Sequence, residues 1–479
     1  NLAVPKLSAA LAPSSAALLW IVDIYGFFVA GSLITMGTLG DRIGRRRLLL
    51  IGAAAFGAAS MLAAFSNSAA MLIAARALLG IAGATLAPST LSLIRNMFHD
   101  ARQRTVAVSV WIMSYSAGAA IGPLVGGALL EHFWWGSVFL INVPVMALLL
   151  VLGPLLLPES RDPHAGRLDL ASAAQSLLAV LAVIYGLKRI AEDGPGWLPA
   201  AAILLGIVIG TAFVRRQRRL AAPLIDLALF RIPAFSAAIA TNILGFFATF
   251  GTFLFIAQYL QSVIGLSPLR AGLWSTPAAL AFIFGSMATP AIVHRFSPAN
   301  VIAGGMTVSA AGFLLLSQTG NAASPLAALV IGSVVFSAGL TPVVTLTTDL
   351  VLGAAPPDRA GAAAAISETS SEFGGALGIA ILGSIVTVLY GGAMAAAVPA
   401  GVPHAAAEIA RGTIGGASSI AHLLPAPLGA ELLGAARSAY ARAFAVTAFI
   451  GAGISIAVAM LALLLLRGVR PATIPAQSA

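Results

Sequence analysis

Three acids stand inside long apolar runs of this chain: Asp23, Glu368 and Glu372. In a low dielectric a carboxyl group favours its protonated form, and when ionised it attracts an organic cation. Together these properties are the chemistry of proton-for-cation exchange. An acid at mid-span costs on the order of 3 kcal/mol on insertion scales, so packing alone is a poor reason for it. Glu368 and Glu372 are four residues apart. On a helix they share one face about 6 Å apart, and their titrations are coupled. Ser367, Thr369, Ser370 and Ser371 make this stretch polar all round, as befits a helix beside water. Each acid also has a plainer reading, hydrogen bonding to neighbouring helices. That reading is strongest for Glu372 and weakest for Glu368.

Arg76 is the one basic residue inside such a run. It either snorkels outward or acts as counter-charge to Asp23 or to an acid upstream of Asn1. Aromatic side chains offer ring faces to organic cations. Most of them fit lipid contact or packing better, and Tyr25 and Tyr115, near mid-span, are the two candidates for a substrate cavity. The chain has no cysteine, which excludes disulfides and thiolate metal sites. Its six histidines lack ligand spacing, so no metal is expected. No Ser/His/Asp set or phosphate loop is present either, and neither an enzyme nor a cofactor is expected.

The elements that must position these groups are membrane helices. Hydrophobic residues make up 59% of the 479 positions and charged ones only 9%; mean hydropathy is +0.98. A soluble protein carries roughly 25% charged residues. A helix needs about 20 apolar residues to cross the hydrocarbon core. Runs of that kind lie at 16–38, 48–66, 70–94, 105–130, 135–157, 168–187, 197–214, 233–261, 268–293, 299–317, 325–351, 360–390 and 443–466. Asn1 to Pro5 reads as the tail of a further helix, which makes fourteen spans with the first truncated. The net charge of +10 does not indicate nucleic acid, because the basic residues sit between apolar runs. Alternation of the loops puts 18 of the 26 basic residues on one side, which the positive-inside rule assigns to the cytoplasm, together with both termini. Residues 391–441 are too polar to cross and read as an external loop, with short amphipathic helices and no part in a proton path. The tail after Arg470 reads as disordered.

Three motifs sharpen the picture. The segment Gly37-Thr-Leu-Gly40-Asp41-Arg42-Ile-Gly44-Arg45-Arg46-Arg47 joins two spans. Its glycines permit close approach, and Asp41 can cap the next helix or pair with an arginine. Arg76 is followed by Gly80 and Gly83. Later comes Gly118-Ala-Ala-Ile-Gly122-Pro123-Leu-Val-Gly126-Gly127. The first segment resembles the signature loop of the major facilitator superfamily. The second resembles its fourth-helix motif, and the third its fifth-helix antiporter motif. Fourteen spans point to the drug:proton antiporter branch, in which quaternary-ammonium efflux pumps are typical. Trp20-Ile-Val-Asp23-Ile-Tyr25, Phe139-Leu-Ile-Asn142-Val-Pro144 and Tyr259-Leu-Gln261 agree with that branch.

The resemblance implies an all-α polytopic membrane protein with two six-helix bundles, 1–157 and 233–467. An inserted pair lies within 158–232, and 468–479 forms a tail. The bundles rock about a midplane site. Family pumps carry acids at places matching Asp23 and the Glu368–Glu372 stretch; no matching acid occurs in the tenth span here. The signature loop is expected to hold one end state, with Asp41 on an arginine while the cytoplasmic side is closed. The implied function is export of lipophilic cationic drugs and dyes in exchange for protons across a bacterial inner membrane, by a monomer. The alternative is export of a lipid, siderophore or other amphiphile. Anionic cargo would need embedded basic residues, and Arg76 stands alone. A non-transporting receptor or scaffold would not need the embedded acids.

Overall fold

The computed structural model describes residues 2–97, 101–159, 169–194, 196–220, 223–225, 227–293, 295–354 and 360–466. Among these no strand occurs. Helix α1 is Val4–Leu11 and α2 is Ser15–Ile43, the latter capped by Ser14, whose hydroxyl accepts from the Ala17 amide. Then come α3 (Arg45–Ala64), α4 (Ala69–Gly83), α5 (Leu86–Met97), α6 (Ala101–His132), α7 (Ser137–Leu140) and α8 (Asn142–Leu156). A hairpin of α9 (Leu170–Asp193) and α10 (Trp197–Gln217) precedes α11 (Pro233–Gln258), which ends in a π-turn at Tyr259–Val263. Helices α12 (Pro268–Val293), α13 (Pro298–Ser317), α14 (Pro325–Ala354) and α15 (Ala360–Ala397) follow. The chain then forms α16 (His404–Gly412), α17 (Ile414–Ala421) and α18 (Ala426–Leu465). Proline at the first positions of α11 and α13 suits a site whose N–H has no helical partner anyway.

Twelve helices among the described residues are long and apolar enough to cross a membrane. Helix α6 fills the place of the 105–130 run; the 70–94 run is divided between α4 and α5 and the 135–157 run between α7 and α8. Helix α1 shares only Val4 and Pro5 with the Asn1–Pro5 segment read as the tail of a further helix, and runs on to Leu11.

The 391–441 segment differs from the sequence reading. Helix α15 runs on to Ala397 and α18 begins at Ala426. The extra turns of α18 are amphipathic: Leu432, Ala436, Ala439 and Tyr440 are buried while Glu431 and Arg442 are exposed. A span criterion that counts charges misses such a helix, although its alanines favour one. The expected short helices are present as α16 and α17.

Helices α2, α3, α4 and α8 pack together, as do α11, α13, α14, α15 and α18. The two halves of the chain meet through α2 with α15 and α6 with α12. Contacts gather at the end opposite the arginine-rich loops. A Cβ on Gly127 would stand 2.7 Å from the Pro268 carbonyl oxygen, and one on Gly272 would collide with that of Pro123. Gln261 donates to the Leu2 carbonyl at 3.0 Å, Ser15 to that of Gly412, and Ser8 shares a hydrogen bond with Thr413. Gly37 of α2, near the arginine-rich end, has open space where a side chain would sit, as do Gly118 and Gly122 farther along α6. Among the described residues the two halves are thus held together at the end opposite the arginine-rich loops.

The α9–α10 hairpin lies against both α2 and α15. Ile184 of α9 joins Phe27, Ala376 and Ala380 in one buried cluster. At the arginine-rich end Asp169 caps α9 by accepting from the Ser172 amide, and Arg216 of α10 reaches the same carboxylate at 3.0 Å. Partial burial opposes ionisation of Asp169, but the hydrogen bonds from Arg216 and Ser172 and the Arg216 charge outweigh it and hold its pKa at about 2. A lowered folded-state value means that the ionised form favours the folded hairpin. This stabilisation is full above the unfolded value of about 4 and is lost as pH falls toward about 2. Asp169→Asn is therefore expected to speed hydrogen exchange in the first turn of α9 at neutral pH. The difference from wild type should shrink below about pH 4; a difference independent of pH would reject the ionic origin.

Candidate functional site

The α2 turn Asp23-Ile-Tyr25-Gly26 packs between α4 and α15. Asp23 is 1% exposed. Arg76 of α4 does not snorkel outward. It turns inward, donates to the Val22 carbonyl at 3.0 Å, and lies over the Tyr25 and Phe139 rings at 5.7 and 5.9 Å. Asp23 and Tyr25 are both within its electrostatic reach. Backbone fit holds this arrangement, for a Cβ on Gly80 would stand 2.6 Å from the Tyr25 carbonyl oxygen and one on Gly83 would stand 3.1 Å from the Tyr25 hydroxyl.

Glu372 of α15 faces this turn from the other helix group. Its Oε2 lies 3.9 Å from where a Gly26 Cβ would be, and Tyr25 feels its charge. Glu368, one turn nearer the arginine-rich end, is exposed, and the two glutamates interact electrostatically. The structure thus brings Asp23, Tyr25, Arg76 and Glu372 together at the interface of the groups, with Glu368 beside them. The Tyr115 side chain lies outside the described ones.

Behind the glutamates sits a polar node absent from the sequence reading. Asn242 of α11, 1% exposed, donates to the hydroxyls of Ser370 and Ser371 at 2.8 Å and accepts from Thr347 of α14 at 3.0 Å. Buried side-chain hydrogen bonds of this kind tie membrane helices together. They fix the rotation of α15 about its axis and so the face on which Glu368 and Glu372 stand. Close backbone contact helps, since Gly374 and Gly378 of α15 leave no room for a Cβ against the Ile243 and Phe247 carbonyls. A lone Asn within an apolar run was the available signal.

At the arginine-rich end the chain turns from α2 into α3 at Gly44, with φ +111°. A Cβ there would stand 2.5 Å from Glu159 Oε1. Glu159, beyond α8, caps the start of α3. The Arg46 and Arg47 amides donate to its two oxygens at 3.1 and 3.2 Å, and the Arg46 guanidinium lies 3.8 Å away. Asp41 is still inside α2, and its side chain lies outside the described ones. Arg45 is buried against Gly40, while Arg42 and Arg47 are exposed. Gly44→Ala is expected to lower stability by about 2 kcal/mol, from the left-handed backbone together with displacement of Glu159. Thermal melting in detergent checks this, and an unchanged melting temperature would contradict it. Of the glycine motif 118–127, only Gly127 is tightly packed; Gly118, Gly122 and Gly126 meet open space.

Comparison with known proteins bears on the family and the fold. The Major Facilitator Superfamily pattern matches residues 1–379. The multidrug efflux pump LfrA of Mycolicibacterium smegmatis is 44% identical over 457 residues, covering 95% of this chain and 90% of that protein. The methyl viologen resistance protein SmvA of Salmonella typhimurium is 37% identical over 92% of this chain and 88% of its own length. The tetracenomycin C resistance and export protein of Streptomyces glaucescens is 33% identical over 81% of this chain and 72% of its own. A crystal structure of a bacterial homologue of the human lysosomal transporter Spinster covers 98% of this chain and 93% of its own, with a TM-score of 0.67 and 17% identity, which speaks to the fold. From its helices, its motifs and these relatives, the chain belongs to the major facilitator superfamily.

Proposed function

We propose that this transporter exports lipophilic cationic drugs and dyes across a bacterial inner membrane in exchange for protons. The observation that carries the reading is the pair of membrane acids on α15, with Glu372 facing Tyr25 and Gly26 on α2 and Glu368 exposed one turn away. Ionised, these carboxylates attract a cation; protonated, they do not. The residues that move together are 1–157 and 233–467, rocking about this interface, with the 158–232 hairpin between them. The arginine-rich end is cytoplasmic, as are both termini. Cargo from the cell then enters at the arginine-rich end, opposite the close contact of α6 with α12, and a single chain suffices.

The names of the two most similar relatives described above, a multidrug pump and a methyl viologen resistance protein, support cationic cargo. The likeness to a tetracenomycin C exporter supports a second reading, export of an uncharged or anionic amphiphile. Arg76 would then have to meet the cargo, yet it is already engaged with Val22, Tyr25 and Phe139. Everted vesicles separate the two. With an imposed acid-inside gradient, ethidium is expected to accumulate, and collapse of the gradient should release it. Accumulation indifferent to the gradient would sink proton exchange; gradient-driven movement of tetracenomycin but not ethidium would favour the second reading.

A further inference from the structure

The outer face of the α9–α10 hairpin holds a groove of about 670 Å³ at the arginine-rich end. Gln175 of α9 and Arg215, Arg216 and Arg219 at the end of α10 form its polar part, while Ile207 and Val208 form an apolar wall. The three arginines are not equivalent. Arg216 is taken up by Asp169 and by the Ser172 hydroxyl at 3.1 Å. Arg215 and Arg219 are exposed, four residues apart, with no side-chain hydrogen bond among the described residues. The Gln175 Oε1 is buried and has no hydrogen-bond partner among them. The apolar span of α10 ends at Gln217, which places these arginines at head-group depth and Ile207 and Val208, 55% and 56% exposed, among acyl chains.

We infer that this groove binds phosphatidylglycerol. The charge of the groove calls for an anion, and basic pockets between membrane helices on this side hold acidic head groups. Its depth and apolar wall call for a lipid rather than a free anion. The phosphodiester lies between Arg215 and Arg219, and an acyl chain runs along Ile207 and Val208. A buried oxygen without a donor is unfavourable, and a glycerol hydroxyl of the head group supplies one to Gln175. A zwitterionic choline or ethanolamine lipid would instead bring its own cation against the arginines.

Native mass spectrometry of the purified, delipidated chain, titrated with defined lipids, tests this without reference to transport, so its failure would leave the exchange reading untouched. Phosphatidylglycerol is expected to bind well ahead of phosphatidylcholine, and ahead of phosphatidic acid, which lacks the glycerol hydroxyls that reach Gln175. Each arginine removed should weaken binding about five-fold, and R215Q/R219Q about thirty-fold. R215K/R219K keeps the charge and should keep most of the binding, which separates charge loss from misfolding. Gln175→Leu leaves the charge intact and should erase the preference over phosphatidic acid. Equal binding of phosphatidylcholine by the wild type, glycerol phosphate binding as tightly as the lipid, or unaltered phosphatidylglycerol binding by folded R215Q/R219Q would each overturn the assignment.

Discussion

Glu368→Gln is expected to abolish gradient-driven export while the protein still folds and inserts. The substitution keeps the shape and polarity of an exposed side chain but fixes it in a form that carries no charge. In the wild type, dye affinity should climb between about pH 5.5 and about pH 8.5 as the carboxyl loses its proton, by about 5- to 150-fold for a coupling of about 1–3 kcal/mol. In Glu368→Gln that climb should be missing. Attraction at low dielectric favours the ion pair, and desolvation of both charges opposes part of it, so the slope reports their difference. Glu372→Gln should give a partial effect, because Glu372 sits against Tyr25 and Gly26. Asp23→Asn should impair transport yet spare some binding, because Asp23 is sealed at 1% exposure and a bulky cation does not reach it.

The second large effect is conformational. Replacing Gly127 with Val puts a branched side chain where a Cβ already stands 2.7 Å from the Pro268 carbonyl oxygen. Backbone cannot yield there as a flexible side chain would. Overpacking costs about 1–3 kcal/mol, and the penalty applies only to the state in which this end is shut. The population of that state should fall by about 5- to 150-fold. The chain contains no cysteine, so a single introduced thiol gives a clean reading. Ala271, fully buried at the same contact, is replaced by Cys and exposed to a membrane-impermeant thiol reagent. Labelling should be slow in the otherwise wild-type background and fast with Gly127→Val. Equal rates in both would mean that α6 and α12 do not form a closing contact.

Much of this was legible from residue types. The apolar runs gave helices because each is long enough to cross and every backbone group can be satisfied within a helix. Glu368, Glu372, Asp23 and Arg76 were legible because a charge in lipid needs a reason. What escaped depends on distance along the chain. Glu159 caps the start of α3 through the Arg46 amide, 113 residues away, and no local pattern announces it. Asn242 carries no charge, so a search for membrane charges passes over it, although its contacts with Ser370, Ser371 and Thr347 set the face of α15. The hairpin was readable as two extra spans; that α9 would lie on both α2 and α15 was not, since either face of α9 is apolar enough to be buried.

The central claim is that a cation and a proton exclude one another at Glu368. The most direct measurement adds a non-titratable lipophilic cation to purified protein in weakly buffered detergent near neutral pH and follows a pH indicator. The wild type should release protons as the cation binds, and Glu368→Gln should release none. Cation binding by the wild type without proton release, or the same release from Glu368→Gln, would contradict the account.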